Sequence, residues 1–106
     1  MNNIIENKRI LNLGTWIASG SATVTEVISY VGFDWLLFDL EHGTMTQHQL
    51  LDNIRATQGR VKVIVRIGEP SASLISRALD WGADGIMMPH VNTADDAKKV
   101  IKMMSY

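Results

Sequence analysis

The chain has 106 residues, 46% of them hydrophobic and 20% charged, with a net charge of −1 and no cysteine. That is room for one domain of ordinary globular composition. It excludes disulfide stapling and thiolate chemistry, and no basic patch or stripe suits a nucleic acid. The amino terminus, Met1 to Lys8, lacks the apolar core of a secretory signal. No apolar stretch nears the ~20 residues that cross a bilayer, so a cytoplasmic location and no membrane contact are expected.

In chain order, Ile10 to Ser19 reads as a first strand, and Ser19-Gly20-Ser21 as a turn. Thr23-Val24-Thr25-Glu26 has the form of a capping box, opening a helix whose apolar stripe is Val24, Val27, Ile28 and Val31 and which stops at Gly32. A second strand runs from about Trp35 to Leu40. Thr46-Gln47-His48-Gln49 is another capping box, with Leu50, Leu51 and Ile54 as the inner face of its helix and Gly59 as the stop. The third strand is Val61 to Ile67. Pro70 suits the first turn of a third helix, which carries Leu74, Ile75, Ala78 and Trp81 inward and ends at Gly82. Gly85 to Val91 is the fourth strand, and Thr93 caps a fourth helix with the stripe Ala97, Val100, Ile101 and Met104.

Strand starts at Trp35, Val61 and Gly85 recur at roughly 25 residues, the scale of a βα unit. Right-handed crossovers make such strands parallel, with the helices outside. The expected fold is therefore α/β: four parallel βα units forming the amino-terminal half of a (β/α)₈ TIM barrel. A complete barrel needs about 250 residues, so residues 1–106 are expected to be a partial barrel domain of a longer protein. The rival architecture is a small four-stranded α/β domain that closes by dimerising.

Chemistry gathers at the strand ends. Trp35-Leu36-Leu37-Phe38-Asp39-Leu40-Glu41-His42 is an apolar run ending in two carboxylates and an imidazole, and Val61-Lys62-Val63-Ile64-Val65-Arg66 ends in a guanidinium. A buried parallel strand is nearly continuous Val, Ile and Leu, and ligands bind at its carboxyl end. Side chains alternate along a strand. Leu37, Asp39 and Glu41 therefore share one face, and Lys62, Ile64 and Arg66 share another. If both faces line the barrel interior, Arg66 is an anion clamp, His42 a titratable base, and Asp39 and Glu41 acids that orient the base or hold a cation. This combination suits proton removal beside a carboxylate-bearing carbonyl compound. His90, after Pro89 at a strand end, is a further candidate for lining the site.

Leu37-Phe38-Asp39-Leu40-Glu41-His42-Gly43, Val63-Ile64-Val65-Arg66 and Leu79-Asp80-Trp81-Gly82-Ala83-Asp84-Gly85-Ile86-Met87-Met88-Pro89-His90-Val91 together resemble the HpcH/HpaI aldolases, which are metal-dependent class II pyruvate aldolases. Leu13-Gly14-Thr15-Trp16 resembles their first strand, and Asn92-Thr93-Ala94-Asp95-Asp96-Ala97 the start of their fourth helix. The similarity runs over about residues 10–106. It implies a carbon–carbon lyase that cleaves a 4-hydroxy-2-oxo acid to pyruvate and an aldehyde. It also implies roles by position: His42 as the catalytic base, Arg66 as the arginine that holds the pyruvate carboxylate, and Asp39 as an acid beside the base. Asp80 matches an aspartate that pairs with the histidine, often across a subunit boundary. Trp16 matches a tryptophan near the substrate, and Glu41 joins Arg66 and Trp16 as a substrate-binding candidate.

The resemblance further implies a Mg²⁺, Mn²⁺ or Co²⁺ cofactor and a homo-oligomer at full length. The family's metal ligands, a glutamate and an aspartate on later strands, have no counterpart here, so no metal ligand is expected before Tyr106 and the chain alone is expected to be inactive. The alternative reading is a non-catalytic half-barrel, or a truncated product, that binds a small carboxylate.

Overall fold

The computed structural model describes residues 12–105, and in it four strands and four helices alternate. They are β1 (Gly14–Ile17), α1 (Ala22–Ser29), β2 (Trp35–Asp39), α2 (Gln47–Thr57), β3 (Lys62–Arg66), α3 (Ala72–Asp80), β4 (Gly85–Met87) and α4 (Ala94–Met103). The strands form one sheet in the order β1-β2-β3-β4, every pair parallel. This is the expected succession of βα units, matching the first half of a TIM-barrel-like fold.

Register decides what each strand contributes. Trp16 pairs with Leu37 and Leu37 with Ile64; one step further along, Asp39 pairs with Arg66 and Arg66 with Met87. These residues share the concave face. On the other face Ile17, Phe38, Val65 and Ile86 lie in one row, and Leu36 and Val63 in the row before it. There they meet Leu50, Ile54, Ile75 and Ala78 of the helices to form the core. Phe38, Leu36, Val65, Leu50 and Ile75 are wholly buried, each contributing about 1.5–3 kcal/mol. Ile86 and Met88 pack against the helix-side core; the parity of the β3–β4 register puts Met87 on the same face as Arg66.

Several local expectations are corrected. β1 covers only Gly14–Ile17; Ile10 and Leu11 lie outside the described residues. α1 is capped by Ser21, whose hydroxyl accepts from Val24 N–H, and not by Thr23. Of its expected stripe Val24, Val27, Ile28 and Val31, only Ile28 packs against the core while the three valines are exposed, and its buried residues are Thr25 and Ser29. The reason is polar pairing. Thr25 donates to Asn53, while Asn53 Nδ2 donates to the carbonyls of Gly20 (2.9 Å) and Gln49 (2.8 Å). Arg60 Nε donates to Ser29 Oγ at 2.9 Å and lies over the Tyr30 ring. These bonds turn the small polar side of α1 towards α2 and rotate the valines away.

The capping box Thr46/Gln49 is formed as expected, but Gln58 rather than Gly59 is the first left-handed residue after α2. Pro70 precedes the cap of α3, Ser71, and so stands outside the helix. β4 stops at Met87 instead of continuing to Val91: Pro89 has no N–H to extend a ladder, and His90 has φ 62°, outside the strand region. In α4, Ile101 is exposed, while Met103 and Met104 touch the core.

A repeated device anchors the amino ends of the strands. Gly32-Phe33-Asp34 and Gly82-Ala83-Asp84 each follow a helix, with glycine φ of 112° and 116°. The Asp34 carboxylate accepts from Leu13 N–H and the Asp84 carboxylate from Val63 N–H, both at 2.8 Å. Each aspartate's own N–H donates to the carbonyl of the same residue, both at 2.7 Å. The two motifs clamp the strands at the end away from the charged cluster.

Candidate active site

At the carboxyl ends of β2 and β3, Asp39 and Arg66 face each other in register. Arg66 donates to Asp39 through Nη2 to Oδ2 (2.7 Å) and Nε to Oδ1 (3.2 Å), a bidentate pair. Asp39 Oδ1 also accepts the backbone N–H groups of Glu41 (2.8 Å) and His42 (3.1 Å). One buried carboxylate therefore fixes the guanidinium and shapes the turn that carries the next two ionisable residues. Its hydrogen bond to Arg66 lowers the Asp39 pKa to about 2 against the opposing effect of burial, helped by the two N–H donors. The same contact raises the pKa of Arg66.

Arg66 Nη2 lies 2.9 Å from His42 Nδ1. Arginine only donates, so Nδ1 is the acceptor in this contact. The ring is 69% exposed and open to a ligand. On the other side of the guanidinium, the Trp16 ring centroid lies 4.5 Å from Arg66 Cζ, a cation–π contact that holds the plane of the arginine. Two glycines nearby have no room for a side chain. A Cβ on Gly14 would stand 1.9 Å from the Trp35 indole, and one on Gly43 would press on Ala18 and the Asp39 carbonyl at about 3.0 Å. Thr44 then ties the loop to β1, its N–H donating to Ala18 O at 3.0 Å.

Glu41 lies past the end of β2 yet enters the cluster. Its Oε1 is 3.4 Å from Arg66 Nε and 3.8 Å from His42 Nδ1; its Oε2 is 3.9 Å from His90 Nε2. Thus Asp39, Glu41, His42 and Arg66 meet at one end of the sheet, as their sequence positions suggested, and Trp16 joins them there. Asp80 does not join them. It is the last residue of α3, which runs back from the end of β3 to the start of β4, so it stands at the opposite end of the strands. Any pairing with His42 requires a second subunit. His90, marked in the sequence only by following Pro89 at a strand end, joins the rim; its left-handed backbone has no signal in the residue type.

Among the described residues no three His, Asp or Glu side chains group to hold a metal ion, and both carboxylates at the strand ends are turned towards Arg66. The divalent cation that the resemblance implies therefore finds no ligand set in the described residues. No helix among them is long and apolar enough to cross a membrane.

Four parallel βα units in sequential order, with ionisable side chains at the carboxyl ends of β2 and β3, place the chain in the class of TIM-barrel-like βα folds, of which it forms the first half. The chain belongs to the HpcH/HpaI aldolase/citrate lyase family, whose model matches residues 12–106. It is 38% identical over 95 residues to a 2-dehydro-3,6-dideoxy-6-sulfogluconate aldolase of Pseudomonas putida, covering 89% of this chain and 37% of that protein. It is 31% identical over 96 residues to a hydroxypyruvate/pyruvate aldolase of Paraburkholderia phytofirmans, covering 88% and 37%. Among solved structures, a family member from Burkholderia cenocepacia superposes with a TM-score of 0.81 at 29% identity, over 90% of this chain and 38% of that one. Macrophomate synthase gives 0.76 at 35% identity, over 86% and 32%. The chain thus spans about a third of the length of these relatives.

Proposed function

We propose that these residues, within a complete barrel of which 1–106 form the amino-terminal half, belong to a metal-dependent pyruvate aldolase. It would be a homo-oligomer that cleaves a 4-hydroxy-2-oxo acid to pyruvate and an aldehyde. The observation that carries this reading is the Asp39–Arg66–His42 cluster: a guanidinium immobilised by a buried carboxylate, with an imidazole on its exposed side. Such an arginine is preorganised for the carboxylate of a 2-oxo acid. Cleavage needs a base to take the 4-hydroxyl proton while the electrons of the C3–C4 bond pass into an enolate. That enolate then takes a proton at C3 to become pyruvate as the aldehyde leaves. Positive charge fixed beside the enolate stabilises it.

His42 is the proton carrier in this scheme, acting directly or through a bound water. Because Arg66 Nη2 occupies Nδ1, a substrate carboxylate that draws Nη2 to itself frees that nitrogen to accept a proton. Substrate binding and release of the base are then one event. The proposal places a divalent cation (Mg²⁺, Mn²⁺ or Co²⁺) on residues other than those described here; bound, it would polarise the 2-oxo group. It also places Asp80 against the histidine of a neighbouring subunit.

The test is pyruvate release from 4-hydroxy-2-oxo acids by the whole protein, with Mn²⁺ and with a chelator. Metal-dependent release that falls at least 100-fold in His42→Ala and Arg66→Ala is expected. Carboxylate binding without turnover at any metal concentration would favour the non-catalytic reading instead.

A further inference from the structure

When His42 Nδ1 takes a proton, a positive imidazolium stands beside a guanidinium whose Nη2 lies 2.9 Å from that nitrogen, and like charges so close oppose each other. Asp39 is already occupied. Its Oδ2 accepts from Arg66 Nη2, and its Oδ1 accepts from Arg66 Nε and from the backbone N–H groups of Glu41 and His42. Glu41 is not: its side chain is only 13% exposed, yet its Oε1 is buried with no hydrogen-bond partner among the described residues. That same oxygen lies 3.4 Å from Arg66 Nε and 3.8 Å from His42 Nδ1, close to both groups. A buried acceptor costs free energy until a donor reaches it.

We propose that Glu41 is a positioning residue for the proton transfer: its Oε1 receives the Nδ1–H of protonated His42 and is the counter-ion that lets this base charge beside Arg66. This rests on the aldolase reading and deepens it. In the resting site Nδ1 accepts from Arg66 and has no proton to offer, which accounts for the unpartnered oxygen. A substrate carboxylate draws Nη2 away, and Nδ1 takes the 4-hydroxyl proton as the C3–C4 electrons pass into the enolate. Nδ1–H is then a donor. Closing 3.8 Å to the ~2.8 Å of a charge-assisted bond takes about 1 Å, a small turn for a ring that is 69% exposed. The titratable and charged groups facing this spot are Asp39 on β2, Glu41 just after it, Arg66 on β3 and His90 after β4. His90 Nε2 lies 3.9 Å from the other Glu41 oxygen, Oε2, and leaves Oε1 to His42. Asp80 of a neighbouring subunit, placed against the histidine above, would meet the remaining ring nitrogen, Nε2.

The experiment follows exchange of pyruvate methyl protons for deuterium as a function of pD, at saturating pyruvate with Mg²⁺, by the whole protein and by Glu41→Gln and Glu41→Asp. In this half-reaction His42 removes a methyl proton, the C–H electrons form the enolate, and a deuteron returns to carbon. Exchange falls on the acid side because His42 is protonated before it can act, and a counter-ion favours that protonated form. Glu41→Gln keeps the shape and removes the charge, so its acid limb should move to lower pD by roughly one unit or more, with no loss of pyruvate binding. Glu41→Asp keeps the charge and should stay close to the wild type. If Glu41→Gln exchanges too slowly to titrate, NMR of isotope-labelled histidine rings in the pyruvate complex reads the same midpoint. A limb unmoved in Glu41→Gln, or moved equally in Glu41→Asp, overturns the proposal, because a residue that only packs would lower the rate without moving the limb. If the wild type shows no exchange, the aldolase reading fails and the role of Glu41 falls with it; if it exchanges and the limb does not respond to the charge at residue 41, only the role of Glu41 fails.

Discussion

At the scale of single residues, Asp39 holds the site together. Its pKa of about 2 lies below the model-peptide value of 3.8, so the folded state prefers the ionised form more than the unfolded chain does. The resulting stability is fully present above about pH 5 and is lost as pH falls through 4 towards 2, a span of about 2 kcal/mol. Denaturant unfolding between pH 7 and pH 2.5 should show this loss, and Asp39→Asn should show less of it while weakening the protein at neutral pH. If wild type and Asp39→Asn change alike with pH, the ion pair is not the source. The cluster was legible from sequence because strand alternation and the parallel register bring Asp39 opposite Arg66. What residue types could not reveal was that Arg66 would take His42 Nδ1, or that His90 would stand at the rim on a positive φ; both depend on loop geometry.

At the scale of elements, helix positions followed from periodicity, but the facing side of α1 did not. An apolar stripe was the expected contact, and Asn53 overruled it by offering Thr25 and Gly20 hydrogen bonds that burial makes obligatory. Asn53→Ala should strand the Thr25 hydroxyl and the Gly20 carbonyl, costing about 2–3 kcal/mol in thermal or denaturant unfolding. A loss under 0.5 kcal/mol would mean the network does not fix the α1–α2 angle. Gly14 is similarly decided by its neighbour. Gly14→Ala drives a methyl into the Trp35 ring and should destabilise by about 1–3 kcal/mol, and adding Trp35→Leu should recover part of that. No recovery would show that the ring is not the obstacle.

At the scale of the molecule, β1 and β4 are the edges of an open four-stranded sheet, and Trp16 and Met87 are exposed on its concave face. Val24 and Val27 on α1, and Val31 just after it, add exposed apolar surface. Unpaired edges with apolar surface associate. The 106-residue chain expressed alone should therefore be oligomeric or aggregated in sedimentation, and without aldolase activity; a monodisperse, active monomer would contradict this. Recognising four βα units and their sequence motifs was enough to reach the family, because those features are local. The partners across the lumen and between subunits, Asp80's among them, are not encoded in any local pattern of these residues.

The central claim is that Arg66 and His42 jointly bind a 2-oxo acid and move its proton. Its most direct measurement is exchange of pyruvate methyl protons for deuterium in D₂O, followed by proton NMR with Mg²⁺ and the whole protein, in the wild type, His42→Ala and Arg66→Ala. Rapid exchange in the wild type is expected. His42→Ala should retain pyruvate binding but lose exchange by at least 100-fold, and Arg66→Ala should lose binding as well. Exchange that proceeds at the wild-type rate without His42 would contradict the account.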